Sequence, residues 1–355
     1  MIPHSDATRA DQRSHRFLPI VWIRSILTFT LWCIVGGMAW TETPASTASA
    51  EALIATGRLE EGLQKLSTLP EDETGKLDYL RGMAFYLKGE MRKAAATFAD
   101  AAVKDPNNSD AIQMEGVTLF RMGRASEAIP FLEKSQKSVT SANIDPQYVL
   151  GLCYIDTNRY DDARKSFAAQ YGFPLDSAEA YLLVGRMLLR RDLLPAAEGA
   201  GHKALALRPS LPKAHLLLGE ISLAQGKSAA ATAEFMRERD LNPLDGAAYE
   251  RLGDAYIRDG QYELAQQTLN RAVLLEPNAS VPYLLLGKAL LNQKNIFMAK
   301  MYLERALVLD PRSYMAHFLL GKTYRLLGQD GDAAREYDAA VKIQAANRPQ
   351  LESPE

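Results

Sequence analysis

Small and large apolar residues recur along most of the chain with a spacing of about 34 residues. The stretch Tyr249–Pro277 and the stretch Tyr283–Pro311 carry the same Tyr, Leu-Gly, Ala, Leu-x-x-Ala and Pro at matching offsets. A glycine near the middle of each unit aligns eight such units: Gly82, Gly116, Gly151, Gly185, Gly219, Gly253, Gly287 and Gly321. This spacing predicts an array of internal repeats.

Two further positions explain why each unit needs its neighbours. An alanine lies twelve residues after every glycine, and a large residue lies sixteen after it in seven of the eight units. Long strand-like alternation is absent, so we expect helices throughout. The small residues let two helices approach closely, the large residue fills the space beside them, and a proline near the end of most units stops the second helix. One such hairpin buries little apolar surface, so the units must stack.

This pattern resembles the tetratricopeptide repeat, in which two antiparallel helices occupy 34 residues. The resemblance covers about residues 75–347 as eight units, and a weaker unit precedes them, with Glu51–Pro70 as its second half. It implies an all-α fold, namely a right-handed superhelical solenoid of antiparallel helix pairs. We expect the solenoid over residues 51–347, followed by a tail at residues 348–355.

Two segments depart from the repeat. Residues 134–146 contain one extra residue and lack the usual proline, and Pro130 falls early in a second helix. Residues 170–177 form a second irregular joint. We therefore predict an altered superhelical pitch around residues 130–177, with a hinge there. Gly201 stands where the other units carry the large residue, which predicts a thinned helix and a weak spot.

The start of the chain has the composition of an export segment, so we predict a signal or anchor at residues 1–40 and a flexible linker at residues 41–50. The charge-free run has 16 residues, or about 24 Å as a helix, against the roughly 30 Å of a bilayer core, which favours a signal cleaved near Ala39. If Arg24 snorkels, the apolar segment extends over residues 18–40 and becomes a retained single-pass anchor. In both cases the basic residues stay inside, so the repeats face outside the cytoplasm, in the periplasm or cell envelope.

Composition and motifs favour neither an enzyme nor a nucleic-acid-binding protein. The chain has 41 basic and 43 acidic residues and a net charge of -2, so we expect no nucleic acid as partner. Cys33 and Cys153 form no metal or redox motif, and no spacing typical of a cofactor, a metal or a catalytic centre occurs. His215 and His317 stand where other units have tyrosine, which predicts a packing role. We therefore expect a non-enzymatic protein without cofactor or metal.

The resemblance also implies where a partner binds. In this family one face of each first helix lines a groove, at positions three before, one after and five after the glycine. The early groove is apolar here, and the later groove has six basic residues against three acidic ones. The apolar candidates are Tyr79, Met83, Tyr148, Leu152 and Phe318. The charged candidates are Arg186, Arg190, Glu220, Glu250, Asp254, Arg258, Lys288, Lys322 and, beside the family positions, Arg325.

These features predict a protein-binding scaffold. We expect a protein or peptide with acidic residues in the groove, with apolar pockets near Tyr79, Tyr148 and Leu152. The export segment and the resemblance suggest assembly work at a cell envelope, with membrane attachment through residues 18–40. The alternative is a structural protein that self-associates through the ends of the solenoid. The fairly polar last helix, at residues 333–348, favours a monomer or a weak oligomer.

Overall fold

A computed structural model describes residues 47–71, 73–135 and 145–346 of the chain. Within these ranges the backbone forms 18 α-helices and no strand. In chain order the helices are α1 (Thr47–Ala55), α2 (Leu59–Ser67), α3 (Lys76–Lys88), α4 (Met91–Lys104), α5 (Ser109–Arg121), α6 (Ala125–Ser135), α7 (Pro146–Asp156), α8 (Tyr160–Tyr171), α9 (Ala178–Arg190), α10 (Leu194–Leu207), α11 (Ala214–Ala224), α12 (Ser228–Leu241), α13 (Gly246–Arg258), α14 (Tyr262–Leu275), α15 (Ser280–Asn292), α16 (Ile296–Leu309), α17 (Tyr314–Leu326) and α18 (Asp330–Ala346). Helices α1 and α2 are the weak first unit, and the other sixteen form the eight full units.

The helices pack as pairs, and the pairs stack in chain order. Each odd-numbered helix packs against the even-numbered helix that follows it, and each even-numbered helix packs against the first helix of the next unit. First helices of adjacent units also touch, as α13 and α15 do. Contacts of each unit with its neighbours along the chain are typical of a solenoid. The prediction of an all-α solenoid of helix pairs is therefore confirmed.

The glycine in the middle of a unit lets the two helices of that unit touch. A Cβ placed on Gly82 would lie 2.6 Å from Cε1 of the buried Phe98, and a Cβ on Gly253 would lie 2.5 Å from Cγ of Leu269. A close-packed interior has no room for contacts this short, so a residue with a Cβ requires the neighbouring side chain to move. The small and large positions meet in this way in seven of the eight units.

The fourth full unit fills the same space from its neighbour. A Cβ on Gly185 would lie 2.8 Å from Cδ2 of Leu217, and a Cβ on Gly201 would lie 2.7 Å from Cδ2 of Leu218. Both leucines are buried and belong to α11, the first helix of the next unit. The space at Gly201 is therefore filled by the next unit, and the predicted weak spot stays a prediction.

The core is continuous through part of the region that the sequence marks as irregular. Leu132 of α6 and Phe167 of α8 are fully buried and belong to one apolar cluster. At the second irregular joint, Nη2 of the buried Arg164 lies 2.9 Å from Oδ1 of Asp176, which ties α8 to the segment before α9. Residues 136–144 lie outside the described residues. The hinge and the altered pitch therefore stay predictions.

The first helix begins inside the segment predicted as a linker. Helix α1 starts at Thr47 and buries Ala50, so the predicted linker at residues 41–50 extends too far into the repeat region. The predicted signal or anchor at residues 1–40 and the tail at residues 348–355 lie outside the described residues. In the ranges that the structure covers, no helix combines the length and the apolar character needed to span a membrane.

One helix start depends on a carboxylate from the second helix of its own unit. Glu238 of α12 is fully buried and accepts the backbone N–H of Lys213 at 2.7 Å and that of Leu216 at 3.3 Å. The side-chain amide of Asn242 also donates to Glu238, at 2.7 Å. A helix start leaves several N–H groups without intrahelical partners, and a negative charge there suits the helix dipole. Glu238 therefore serves as the cap of α11.

We expect Glu238→Ala to lower the free energy of unfolding by about 1–2 kcal/mol, because the N–H groups at the start of α11 lose their acceptor. The backbone accepts alanine at this position, since five other units carry it there: Ala101, Ala204, Ala272, Ala306 and Ala340. Urea unfolding followed by circular dichroism measures the change. Glu263→Ala on the exposed side of α14 is the control and should cost only a few tenths of a kcal/mol. Equal costs for both variants would show that the cap contributes nothing.

Candidate functional site

All fourteen predicted groove residues lie on first helices, between α3 and α17. Ion pairs link adjacent first helices in the later part of the predicted groove. Nε of Arg251 on α13 lies 2.9 Å from Oε1 of Glu220 on α11, and Nζ of Lys288 on α15 lies 3.9 Å from Oδ1 of Asp254, at the equivalent position on α13. The predicted groove residues Glu220, Asp254 and Lys288 therefore lie on the side of the solenoid where these helices meet.

The aromatic residues of the early groove already pack within their own units. The rings of Tyr79 and Tyr148 each lie against the large residue sixteen after the unit's glycine, with centroids 5.9 and 5.8 Å apart. Burial raises the pKa of Tyr79 to about 12. Met83 and Leu152, one helical turn further on, are also half-buried. These four side chains therefore offer a partner only part of their apolar surface.

The last first helix carries a more exposed apolar patch. Phe318 is 41% exposed, and Met315 and Leu326 beside it on α17 are more exposed still. The Phe318 ring stacks on Tyr314 with centroids 6.2 Å apart and tilts against Tyr337 at 5.7 Å. The free part of Phe318 is the predicted apolar contact that a partner could reach most easily.

Two of the predicted basic residues already hold a carboxylate of this chain. Nε of Arg258 donates to Oδ2 of Asp254 at 2.9 Å, and Nζ of Lys288 lies 3.9 Å from the other oxygen. The sequence predicted that Arg258 and Lys288 bind acidic side chains of a partner. In the structure a partner's carboxylate would have to compete with Asp254 for both of them.

Arg251 is a groove residue that the sequence analysis missed. Its Nε donates to Glu220 at 2.9 Å and its Nη1 donates to Glu250 at 3.3 Å, so it links two predicted acidic residues. The sequence held a signal for it, since the position two before the glycine is apolar in the other seven units: Leu80, Met114, Val149, Leu183, Leu217, Leu285 and Leu319. With Arg251 included, the groove between α11 and α15 has as many basic as acidic side chains.

Glu250 has a perturbed carboxyl group. Burial raises its pKa, Arg251 lowers it, and the neighbouring carboxylates Glu276, Asp254 and Glu220 raise it further. A raised pKa means that Glu250 loses its charge at a higher pH than an ordinary glutamate does, and its ion pair with Arg251 is lost with that charge.

Basic side chains that form no ion pair with any described residue flank this network on both sides. Arg186 and Arg190 lie one turn apart on α9, and neither forms an ion pair or a hydrogen bond with any residue that the structure describes. On α17, Lys322 is exposed and the guanidinium of Arg325 lies 4.9 Å above the ring of Tyr337. Arginine and lysine bind carboxylates strongly when they are not already paired. These four positions are therefore the ones best placed to hold an acidic partner.

The two histidines of the repeat make structural contacts. Nδ1 of His317 lies 2.6 Å from Oε2 of Glu336, and its Nε2 lies 3.1 Å from the carbonyl oxygen of Pro311. Tyr283 makes the matching contact through its hydroxyl, which donates to the carbonyl oxygen of Pro277, at the end of the preceding unit, at 3.2 Å. His215 pairs with a glutamate of its own unit in the same way as His317. The predicted packing role of both histidines is confirmed.

The remaining candidate for chemistry is the thiol of Cys153. It is fully buried, and burial raises its pKa to about 12, with a further contribution from Asp156. A neutral buried thiol is a poor nucleophile. Among the residues that the structure describes, no three His, Cys, Asp or Glu side chains lie close enough together to hold a metal ion.

Family models match the chain in several pieces. Tetratricopeptide repeat models match residues 246–279 and residues 148–212 and 284–350. A model of the anaphase-promoting complex, cyclosome, subunit 3 matches residues 89–169. No curated protein sequence matches the chain significantly.

Several solved structures are similar to parts of this chain at low sequence identity. MamA 41-end from Desulfovibrio magneticus RS-1 is 22% identical, and the match covers 49% of this chain and 98% of that one with a TM-score of 0.44. YrrB, described as a TPR protein with an unusual peptide-binding site, is 22% identical over 53% of this chain and 95% of that one, with a TM-score of 0.42. A chain of the APC/C hetero-tetramer Cut9-Hcn1 is 16% identical over 87% of this chain and 62% of that one, with a TM-score of 0.48.

Proposed function

Since this chain is a tetratricopeptide-repeat protein, we propose that it is a non-catalytic scaffold that binds an acidic segment of a partner protein in its groove. The observation that carries the proposal is the pair Arg186 and Arg190. These arginines are neighbours on α9, lie at groove positions and have no acidic partner among the described residues. A partner that supplies the missing carboxylate gains charge-assisted hydrogen bonds there.

The charge distribution supports a particular order of contacts. The network between α11 and α15 is nearly neutral, so a partner's acidic residues bind on its two sides, at Arg186 and Arg190 and at Lys322 and Arg325. The exposed part of Phe318 accepts an apolar side chain beside the second pair. Recognition of an extended segment by a few anchors along a groove is a common mode of peptide binding.

We further propose that the scaffold works outside the cytoplasm in an assembly at a cell envelope. The basic start and the apolar run at residues 18–40 support this location, with either a retained anchor or cleavage near Ala39. Protease added to cells with a permeabilised outer envelope should digest the repeats while a cytoplasmic marker stays intact. Digestion of the repeats only after the inner membrane is lysed would overturn the proposed location.

Peptide selection with the full-length protein tests the groove. We expect peptides selected from a random display library to be enriched in Asp and Glu. The double variant Arg186→Glu/Arg190→Glu should bind these peptides at least about tenfold more weakly, since truncating or reversing a charge contact costs 1.4 kcal/mol or more. Binding to the wild type should also weaken as salt is added.

The matched control is Arg271→Glu/Arg312→Glu, which makes the same change in net charge at exposed positions outside the groove. It should bind the selected peptides as the wild type does. Equal weakening in both double variants would mean that only the overall charge matters, and equal binding in both would move the site away from α9. Light scattering checks the alternative of self-association, because a stable dimer that selects no peptides would favour it over the groove proposal.

A further inference from the structure

A second candidate site lies on another side of the solenoid, in a cleft of about 450 Å³ between α4, α5 and α6. The cleft is lined by Glu115 and Leu119 of α5 and by Met122, which follows the end of that helix. The groove positions of the same helix are Gln113, Val117 and Arg121, each two residues away from Glu115 or Leu119. Two residues along an α-helix correspond to a rotation of about 200°, so the cleft and the groove lie on opposite faces of α5.

The cleft contains a carboxylate at a position that is apolar in most other units. Glu115 precedes the glycine of the second full unit, where the first unit has Arg81 and the remaining six have aliphatic residues: Leu150, Val184, Leu218, Leu252, Leu286 and Leu320. Glu115 is only 9% exposed. Among the described residues, no side chain or backbone group forms a hydrogen bond or an ion pair with its carboxyl group. Burying a carboxylate without a partner costs free energy.

The other buried carboxylates in the described residues have partners. Asp78 pairs with Arg81 at 3.0 Å and with Lys104 at 2.6 Å, and Glu238 accepts two backbone N–H groups. Glu115 differs from both because its carboxyl group lines the cleft and accepts no hydrogen bond from a described residue. The cleft therefore leaves room beside this carboxyl for a group that enters from outside.

The walls of the cleft define the shape of that group. Leu119, Met122 and Phe131, with the small side chains Ala95 and Ala96, form an apolar lining. This lining suits an aliphatic stem, and the Glu115 carboxylate suits a positive charge at the end of the stem.

The other charged groups near the cleft leave room for a cation. Arg124, which precedes α6, already donates to Glu127 at 2.7 and 2.6 Å, so this pair is neutral. Arg92 of α4 is exposed and can point into water. The charge of Lys134 on α6 lowers the pKa of Glu115, but its ammonium group donates to the carbonyl oxygen of Pro106 at 3.1 Å. Helix α7 contributes no residue to the lining.

We propose that this cleft binds a primary ammonium group on an aliphatic stem, with Glu115 as its counter-ion. A lysine side chain of a partner protein has this chemistry, and so does a free alkylamine. The site is separate from the groove, so a partner could occupy both surfaces, and neither proposal depends on the other.

Methyl NMR of the full-length protein tests the proposal, with Met122 as the reporter inside the cleft and Met236 of α12 as a distant reference. The probes are n-pentylamine and the peptide acetyl-Ala-Lys-Ala-amide, and the control probe is the same peptide with norleucine in place of lysine. We expect both amines to shift the Met122 signal and the norleucine peptide to leave it unchanged. A shift with n-pentylamine alone assigns the cleft to free amines, and a shift with the lysine peptide assigns it to protein side chains.

Two variants make the result specific. Glu115→Gln should weaken binding of the amines at least about tenfold, whereas Glu263→Gln on α14 should leave it unchanged. Binding to the wild type should be tighter at about pH 8.5 than at about pH 5.5, because burial raises the pKa of Glu115 to about 7 and the carboxyl is neutral at the lower pH. No Met122 shift with either amine, an equal shift with norleucine, or unchanged binding in Glu115→Gln would each overturn the proposal.

Discussion

Replacing Gly219 with alanine should lower the free energy of unfolding by about 1–3 kcal/mol, although alanine is the better helix former. Gly219 lies inside α11, and a Cβ there would fall inside the normal contact distance of the Phe235 ring. The ring is fully buried and cannot turn away into solvent. The two helices of the unit would therefore have to separate, which also disturbs the stacking of adjacent units.

Gly199→Ala is the matched control, because Gly199 lies inside α10 and a Cβ there meets no atom within 4 Å. That substitution should raise stability by up to about 1 kcal/mol. The double variant Gly219→Ala/Phe235→Ala should cost less than the sum of its two single variants, since the clash and the ring are removed together. Thermal unfolding followed by circular dichroism measures all four variants. Similar effects of Gly219→Ala and Gly199→Ala would show that close helix contact at the repeat glycine does not hold the units together.

The second large effect is expected at Glu115, as a stability that depends on pH. Burial raises the pKa of this carboxyl from its ordinary value of 4.5 to about 7. Well below pH 4.5 the carboxyl of Glu115 is protonated in both the folded and the unfolded chain, so no charge is buried on folding. As the pH rises from 4.5 to 7, the unfolded chain ionises first and stability is lost. A shift of this size corresponds to a loss on the order of 2–3 kcal/mol above about pH 8.

Glu115→Gln removes the ionisation and should therefore remove this loss. The difference in unfolding free energy between the variant and the wild type should grow by about 2–3 kcal/mol in favour of the variant between about pH 4.5 and pH 8. Urea unfolding at a series of pH values measures it, and Glu263→Gln, an exposed glutamate on α14, should show little such growth. A constant difference between Glu115→Gln and the wild type across the series would mean that Glu115 ionises normally in the folded chain.

The fold could be predicted because its determinants repeat in the sequence. A glycine and the large residue sixteen after it face each other within one helix pair, so their spacing alone reveals the contact, as Gly82 and Phe98 illustrate. The packing at Gly201 could not be predicted in this way, because the side chain that fills its space, Leu218, comes from the next unit. Spacing within a unit does not contain that information.

The candidate binding surfaces could be predicted only in part, because they depend on contacts between units. The sequence places Arg258 and Lys288 on the groove, but only the structure brings both of them to Asp254. The role of Arg251 likewise depends on the position of Glu220 on the preceding first helix. The cleft at Glu115 is a cavity between three helices, and the sequence alone does not reveal where packed helices leave a cavity.

Photo-cross-linking in the native cell tests the central claim most directly, because it asks which face of the solenoid touches a partner. A benzoylphenylalanine placed at position 186 on α9 probes the groove, and the same group at position 271 on α14 probes a surface outside it. If the groove binds the partner, light should produce a higher-mass adduct from position 186, and an excess of a selected acidic peptide should remove it. An adduct from position 271 alone, or an adduct from position 186 that the peptide leaves unchanged, would contradict binding of an acidic partner in the groove.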